Sequence, residues 1–131
     1  MADLPPLSAI VPVLDEGPTL PELHRRLRDA LPPGSEIIYV DDGSRDGTLD
    51  AMVTEFGGDP HFTGIRFAVN LGKSAAYMAG IHHARYRLIG TMDGDMQDNP
   101  EDLLKLIELV ACGADLAVGW KQTGKSSGAT W

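Results

Sequence analysis

Short apolar stretches rich in β-branched residues alternate with helical stretches along the chain, and this alternation is the strongest constraint on the fold. Strands are predicted at residues 7–14, 36–40, 62–69, 87–92 and 115–118. Helices are predicted between them, because apolar residues recur there at intervals of three and four. Strands that alternate with helices form a mostly parallel sheet. The sequence therefore predicts an α/β fold with a mostly parallel central sheet.

Apolar stripes at helical spacing predict which side chains the helices bury. The first helix covers about residues 18–31, and His24 on it is assigned no function. The inward residues expected on the second helix are Leu49, Met52, Val53 and Phe56. Those expected on the third helix, at about residues 73–85, are Tyr77, Ile81 and Ala84. A fourth helix is expected to run from a cap at Asn99 to Gly113.

Composition and charge exclude several classes of protein. The chain has 131 residues, of which 43% are hydrophobic, as expected for one globular domain. Its net charge of -8 argues against a nucleic-acid surface, which needs clustered lysine and arginine. The single cysteine, Cys112, has no internal disulfide partner, and no stretch has the pattern of a membrane span or a signal peptide. We expect a cytoplasmic protein, free or peripheral to the cytoplasmic face of the membrane.

Acidic residues follow three of the predicted strands at the point where each strand ends. They are Asp15 and Glu16, Asp41 and Asp42, and Asp93 and Asp95. Because parallel strands end at the same edge of a sheet, where ligands of open α/β sheets bind, these side chains are expected to gather there. Crowded carboxylates repel one another unless a cation or hydrogen-bond donors offset the repulsion.

The densest acidic group is Asp93-Gly-Asp95-Met-Gln97, directly before the predicted fourth helix. Oxygen ligands of this kind suit Mg²⁺ or Mn²⁺, with phosphate oxygens completing the coordination shell. We therefore expect a metal–diphosphate site at these residues. Acidic groups at a strand end also accept hydrogen bonds from ribose hydroxyls or base N–H groups, so Asp41 and Asp42 are expected on a nucleoside.

Each acidic loop also has a simpler interpretation. Asp-Asp-Gly-Ser after a strand is typical of a turn and a helix cap. Calcium-binding loops of the EF-hand type are excluded at Asp42 and at Asp93. Val53 and Leu104 stand where such loops need a bidentate glutamate. A loop of the haloacid-dehalogenase type would follow the first strand, whereas Asp93-Gly-Asp95 follows the fourth, so this is a minor alternative.

Five motifs along residues 8–122 occur in the order found in family 2 glycosyltransferases. They are Ile10-Val-Pro-Val-Leu-Asp-Glu16, Val40-Asp-Asp-Gly-Ser-Arg-Asp-Gly-Thr48, Asn70-Leu-Gly-Lys73, Met92-Asp-Gly-Asp-Met-Gln-Asp-Asn-Pro-Glu101 and Val118-Gly-Trp-Lys121. The chain resembles this family, whose GT-A fold is a Rossmann-like three-layer sandwich. Within the family it is most similar to the dolichol- and undecaprenyl-phosphate mannosyl- or glucosyltransferases.

The resemblance implies a reaction and the residues that serve it. The implied reaction transfers a hexose, with inversion, from a GDP- or UDP-sugar to a polyprenyl phosphate at a membrane surface. The residues implied to bind the nucleotide are Pro12, Leu14, Glu16, Asp41, Asp42, Lys73 and Asp93. The implied ligands of Mg²⁺ or Mn²⁺ are Asp93, Asp95 and Gln97, and the implied catalytic residues are Asp95 and Lys121.

The chain departs from the family pattern in two ways. Leu14 and Asp15 stand where many members have Tyr and Asn, and the pattern is lost after about residue 122. We therefore expect a truncated GT-A domain at residues 1–122, an unassigned tail at 123–131, and a homodimer that covers exposed apolar edges.

Two other functions stay open. One is a non-enzymatic module that binds a nucleotide or a partner. The other is a nucleotidyltransferase, which would carry a glycine-rich basic loop where this chain has Asp15-Glu-Gly-Pro18.

Overall fold

The computed structural model describes residues 4–92 together with Lys105 and Glu108, both of which are helical. The strands are β1 (Ser8–Val13), β2 (Glu36–Asp41), β3 (Phe62–Arg66) and β4 (Ile89–Thr91). The helices are α1 (Leu20–Ala30), α2 (Thr48–Phe56) and α3 (Lys73–His83), and a 3₁₀ turn at Gly17–Thr19 precedes α1. All strand pairs are parallel, in the order β3-β2-β1-β4. The predicted α/β fold is confirmed, and the predicted fifth strand lies outside the described residues.

The two central strands are buried on both faces of the sheet. Every residue of β1 and β2 is buried, which explains why both strands are apolar except at their ends, where Ser8, Glu36 and Asp41 lie. Alternate side chains point to opposite faces. The side chains that pack with α1 and α2 are Ala9, Val11, Val13, Ile37 and Tyr39. Those on the face covered by α3 are Ile10, Ile38 and Val40.

Helices α2 and α3 bury fewer of their apolar residues than the sequence predicts. Val53 is 51% exposed, and its predicted place in the core is wrong, because α2 contacts the sheet mainly through Leu49 and Met52. Ile81 is 44% exposed and was also wrongly predicted to face inward. The buried residues of α3 are Ala76 and Gly80, whose small size lets the helix approach the sheet closely.

His24 lies in the core between α1, β2 and the loop before β3. Its Nδ1 is 2.8 Å from the Tyr39 hydroxyl, and its Nε2 is 3.2 Å from Oδ2 of Asp59. A neutral ring protonated on Nε2 satisfies both contacts, because Nε2–H donates to the carboxylate and Nδ1 accepts from the hydroxyl. Burial lowers the pKa of His24 below its ordinary value of 6.5, although the Asp59 carboxylate acts in the opposite direction.

We expect the protein to lose stability as the pH falls below about 6.5, the ordinary pKa of histidine. Above that pH His24 is neutral in both the folded and the unfolded chain. Below it, the unfolded chain binds a proton that the folded protein does not, so the free energy of unfolding falls by up to about 1.4 kcal/mol per pH unit. Urea denaturation between pH 7.5 and 5.5 should show a smaller pH dependence for His24→Gln. Equal pH dependence in the two proteins would contradict the assignment.

Candidate functional site

The loops that follow β1, β2 and β3 meet at the carboxyl edge of the sheet and enclose a cleft of about 300 Å³. The residues lining this cleft are Pro12, Val13, Leu14, Glu16, Asp42, Asn70, Gly72 and Lys73. Pro12, Leu14, Glu16, Asp42 and Lys73 were all predicted to bind nucleotide. Asp41, for which the same prediction was made, does not line the cleft. The structure thus brings together predicted residues from three separate loops.

Asp15 fastens the loop after β1 to the loop after β2. Its backbone N–H donates to Oγ of Ser44 at 2.9 Å, and its Oδ1 accepts from the backbone N–H of Arg45 at 2.8 Å. Asp15 has φ 51°, a left-handed conformation that aspartate and asparagine tolerate better than most residues. Aspartate can therefore adopt this conformation while its side chain connects the two loops.

Asp41 and Asp42 are consecutive buried residues, and backbone N–H groups donate to both carboxylates. Asp41 Oδ1 accepts from the N–H of Ser44 at 2.8 Å, which is the turn chemistry weighed as the simpler interpretation. Asp42 instead accepts from the N–H groups of Leu71 and Gly72, in the loop before α3. Each buried carboxylate thus has backbone donors that offset the cost of its burial.

Gly43 brings the loop after β2 against the loop after β3. Its φ is +86°, and a Cβ atom there would lie 2.8 Å from the backbone nitrogen of Asn70 and 2.9 Å from the carbonyl carbon of Val69. The backbones of the two loops therefore lie in close contact at this point.

The charges of the cleft are of both signs. Glu16 and Asp42 supply carboxylates, and Lys73, the first residue of α3, supplies an ammonium group. The Glu16 side chain turns back so that its Oε1 accepts from the N–H of Leu14 at 2.9 Å. Carboxylates suit hydroxyl and N–H donors of a nucleoside, whereas the lysine suits phosphate oxygens.

A second cavity of about 430 Å³ adjoins the cleft. Leu14 and Asn70 line both spaces, so they form the wall between them. Ser44 and Arg45 lie on the far side of this wall. The carboxyl edge therefore offers more room than the cleft alone, with an arginine at its outer part.

The predicted metal ligands Asp93, Asp95 and Gln97 lie outside the described residues, as does Lys121. The continuous described segment ends at Met92, whose N–H donates to the carbonyl of Ile10 at 3.0 Å. Within the described part of the chain, no group of three His, Cys, Asp or Glu side chains is arranged to hold a metal ion. In that same part, every helix is too short or too polar to cross a membrane.

Some residues of the cleft were not predicted as site residues. Asn70, Gly72 and Val13 line it, although none was assigned a role from sequence. Asn70 and Gly72 belong to the Asn-Leu-Gly-Lys motif, so the signal was present. Val13 belongs to the Ile10–Glu16 motif, but it ends a buried strand and carries no polar group, so it was interpreted only as a core residue.

Comparison of sequences identifies the family. The sequence model of glycosyl transferase family 2 matches residues 8–131. The dodecaprenyl-phosphate galacturonate synthase of Rhizobium johnstonii is 38% identical over 128 residues. The undecaprenyl-phosphate 4-deoxy-4-formamido-L-arabinose transferase of Salmonella choleraesuis is 35% identical over 130 residues. These matches cover 91% and 96% of this chain, which spans only 37% and 40% of the two relatives.

Solved structures support the fold. The mannosyltransferase PcManGT from Pyrobaculum calidifontis, in complex with GDP-Man and Mn²⁺, has a TM-score of 0.70 at 25% identity, covering 93% of this chain and 36% of that one. TarS from S. aureus has a TM-score of 0.66 at 23% identity, covering 79% of this chain and 32% of that one. The α/β architecture is that of the GT-A glycosyltransferases. Because the family match runs over residues 8–131, the chain belongs to glycosyl transferase family 2.

Proposed function

We propose that the protein binds a nucleoside diphosphate sugar, a GDP- or UDP-hexose, and serves transfer of the hexose with inversion to a polyprenyl phosphate. The cleft at the carboxyl edge carries the proposal, since three loops bring carboxylates and a lysine to one place there. The names of two relatives include a dodecaprenyl or undecaprenyl phosphate. A structural neighbour holds GDP-Man and Mn²⁺, which supports the donor class.

The residues of the cleft suit the parts of a nucleotide. Pro12 and Leu14 offer an apolar wall to the base, and Leu14 is 40% exposed at this edge. Glu16 offers a carboxylate to N–H or hydroxyl donors of the nucleoside, and the family resemblance implies the same role for Asp42. Lys73 lies at the first turn of α3 and lines the cleft, and its ammonium group suits phosphate oxygens.

Asp93, Asp95 and Gln97 are the residues that would hold a divalent ion. All three carry oxygen donors, the ligand type that Mg²⁺ and Mn²⁺ prefer. When bound, such an ion supplies Lewis-acid stabilisation of the leaving diphosphate. Lys121 would add a positive charge beside the same group.

A polyprenyl phosphate requires little acid–base chemistry from the protein. The second pKa of a phosphate monoester is about 6, so the attacking oxygen is already largely anionic near neutral pH. The protein therefore has to orient donor and acceptor and keep water out, without a general base. Because the acceptor is a lipid, we place the working site at the cytoplasmic surface of the membrane.

Calorimetric titration with GDP and with UDP, each with and without Mn²⁺, tests the proposal. We expect one nucleotide to bind at least about tenfold more tightly with Mn²⁺, a gain of about 1.4 kcal/mol. Asp95→Ala should abolish this gain, whereas Asp50→Ala, which removes an exposed acid from α2, should retain it. If neither nucleotide binds, the proposal is wrong. Nucleotide binding without hexose transfer to a polyprenyl phosphate would instead support the binding-module alternative.

A further inference from the structure

Asp42 is a buried carboxylate whose hydrogen bonds reach across to a different loop. It directly follows β2 and is 6% exposed. Its Oδ1 lies 2.7 Å from the backbone nitrogen of Leu71 and 3.2 Å from that of Gly72, and its Oδ2 lies 3.1 Å from the latter. Two successive backbone amides thus converge on one carboxylate, in the manner of the backbone concavities that bind anions.

The two amides lead directly into α3. Gly72 occupies the position before the first helical residue, Lys73, and has no side chain with which to cap the helix. The Asp42 carboxylate lies at this helix end, where negative charge is favourable. Because Gly72 and Lys73 are consecutive, a hydrogen bond that holds the backbone of Gly72 also restricts the position of the Lys73 Cα atom, from which the side chain extends.

We propose that Asp42 is a positioning residue that acts through the amides of Leu71 and Gly72 to direct Lys73 into the cleft. The inference rests on the proposed function, since only that function places Lys73 on the nucleotide. This positioning role differs from the role that the family resemblance implies for Asp42, which is direct contact with the nucleoside. Both carboxylate oxygens already accept from the loop, so a nucleoside donor has to share an oxygen that is in use.

Hydrogen exchange of the Leu71 and Gly72 amides, measured without nucleotide, tests whether Asp42 restrains the loop before α3. Asp42→Asn removes the negative charge and replaces one accepting oxygen by an NH₂ group, so the hydrogen bonds to both amides weaken and exchange at both positions should accelerate at least about tenfold. Asp50→Asn removes the same charge from the exposed face of α2 and should leave both rates unchanged. Unaltered exchange in a folded Asp42→Asn protein would overturn the proposal.

Nucleotide binding tests the consequence for Lys73. Lys73→Ala should weaken binding of the preferred nucleotide, GDP or UDP, about tenfold in the unchanged protein, but less than about twofold in the Asp42→Asn background. Equal losses in both backgrounds would overturn the proposal in favour of direct contact. If the unchanged protein binds neither nucleotide, the proposed function itself is wrong. This result differs from unaltered amide exchange and from equal losses of binding, which contradict only the role of Asp42.

An NMR measurement on the unchanged protein covers the case in which Asp42→Asn does not fold. Scalar coupling across the hydrogen bonds should connect the amide nitrogens of Leu71 and Gly72 to the side-chain carboxyl carbon of Asp42. Absence of this coupling at both amides would overturn the proposal.

Discussion

Replacing Gly43 by alanine is expected to destabilise the protein by at least about 3 kcal/mol and to weaken nucleotide binding. The φ of +86° alone costs an alanine about 1–2 kcal/mol. The added Cβ would also lie 2.8 Å from the nitrogen of Asn70 and 2.9 Å from the carbonyl carbon of Val69. Both atoms belong to the backbone, which cannot move aside as a side chain can, so the loop before α3 has to shift.

Gly47→Ala provides a matched control in the same connection between β2 and α2. Gly47 has a φ of +73°, but no atom lies within 4 Å of the Cβ that alanine would add. Urea denaturation should therefore show a loss of about 1–2 kcal/mol for Gly47→Ala, from backbone strain alone. Titration with the preferred nucleotide should show weaker binding only for Gly43→Ala. Similar stability losses in the two variants would mean that contact with the Asn70 backbone is unimportant.

The order of elements was predictable because hydrophobic periodicity records it directly. The interior positions of β1 and β2 are all apolar, since both faces of each strand are covered. The gathering of Glu16 and Asp42 at one edge followed from strand direction, whereas the place of Lys73 beside them was predicted only from the family resemblance. A parallel sheet leaves little freedom in where the ends of neighbouring strands lie.

The partners of individual side chains were not predictable in the same way. That Asp42 accepts from the Leu71 and Gly72 amides depends on the path of a loop 29 residues further along the chain, which no local pattern records. His24 was assigned no function, yet it lies beside the leucine stripe of α1 and contacts Tyr39 and Asp59. Val53 was wrongly predicted to be buried, because the helical spacing of apolar residues does not show how wide the buried face of a helix is.

Gly80 shows how a buried glycine sets the distance between a helix and the sheet. A Cβ atom at this position would meet three side-chain atoms of Ile10, with Cδ1 and Cγ1 both at 3.1 Å and Cγ2 closer still. Ile10 is in the middle of β1 and is fully buried, and its β-branched side chain has little rotamer freedom with which to retreat. Glycine is therefore required by contact with the sheet, although it lowers helix propensity.

Gly80→Val is expected to destabilise the protein by about 3 kcal/mol, at the upper end for overpacking a core. The slightly better helix propensity of valine offsets only a few tenths of a kcal/mol of this loss. Ile10→Ala alone should also cost about 2–5 kcal/mol, because it leaves a cavity. The two changes together remove three carbon atoms from β1 and add three on α3, so they nearly conserve volume across the contact.

The double variant should therefore be more stable than the sum of the single losses predicts, by about 1–3 kcal/mol. Urea denaturation of the four proteins in the cycle measures this coupling free energy. Ser74→Val, on the exposed side of the same helix, serves as the control and should change stability by less than about 0.5 kcal/mol. If the stability losses of Ile10→Ala and Gly80→Val simply add in the double variant, the close approach of α3 to β1 does not determine the packing of this face of the sheet.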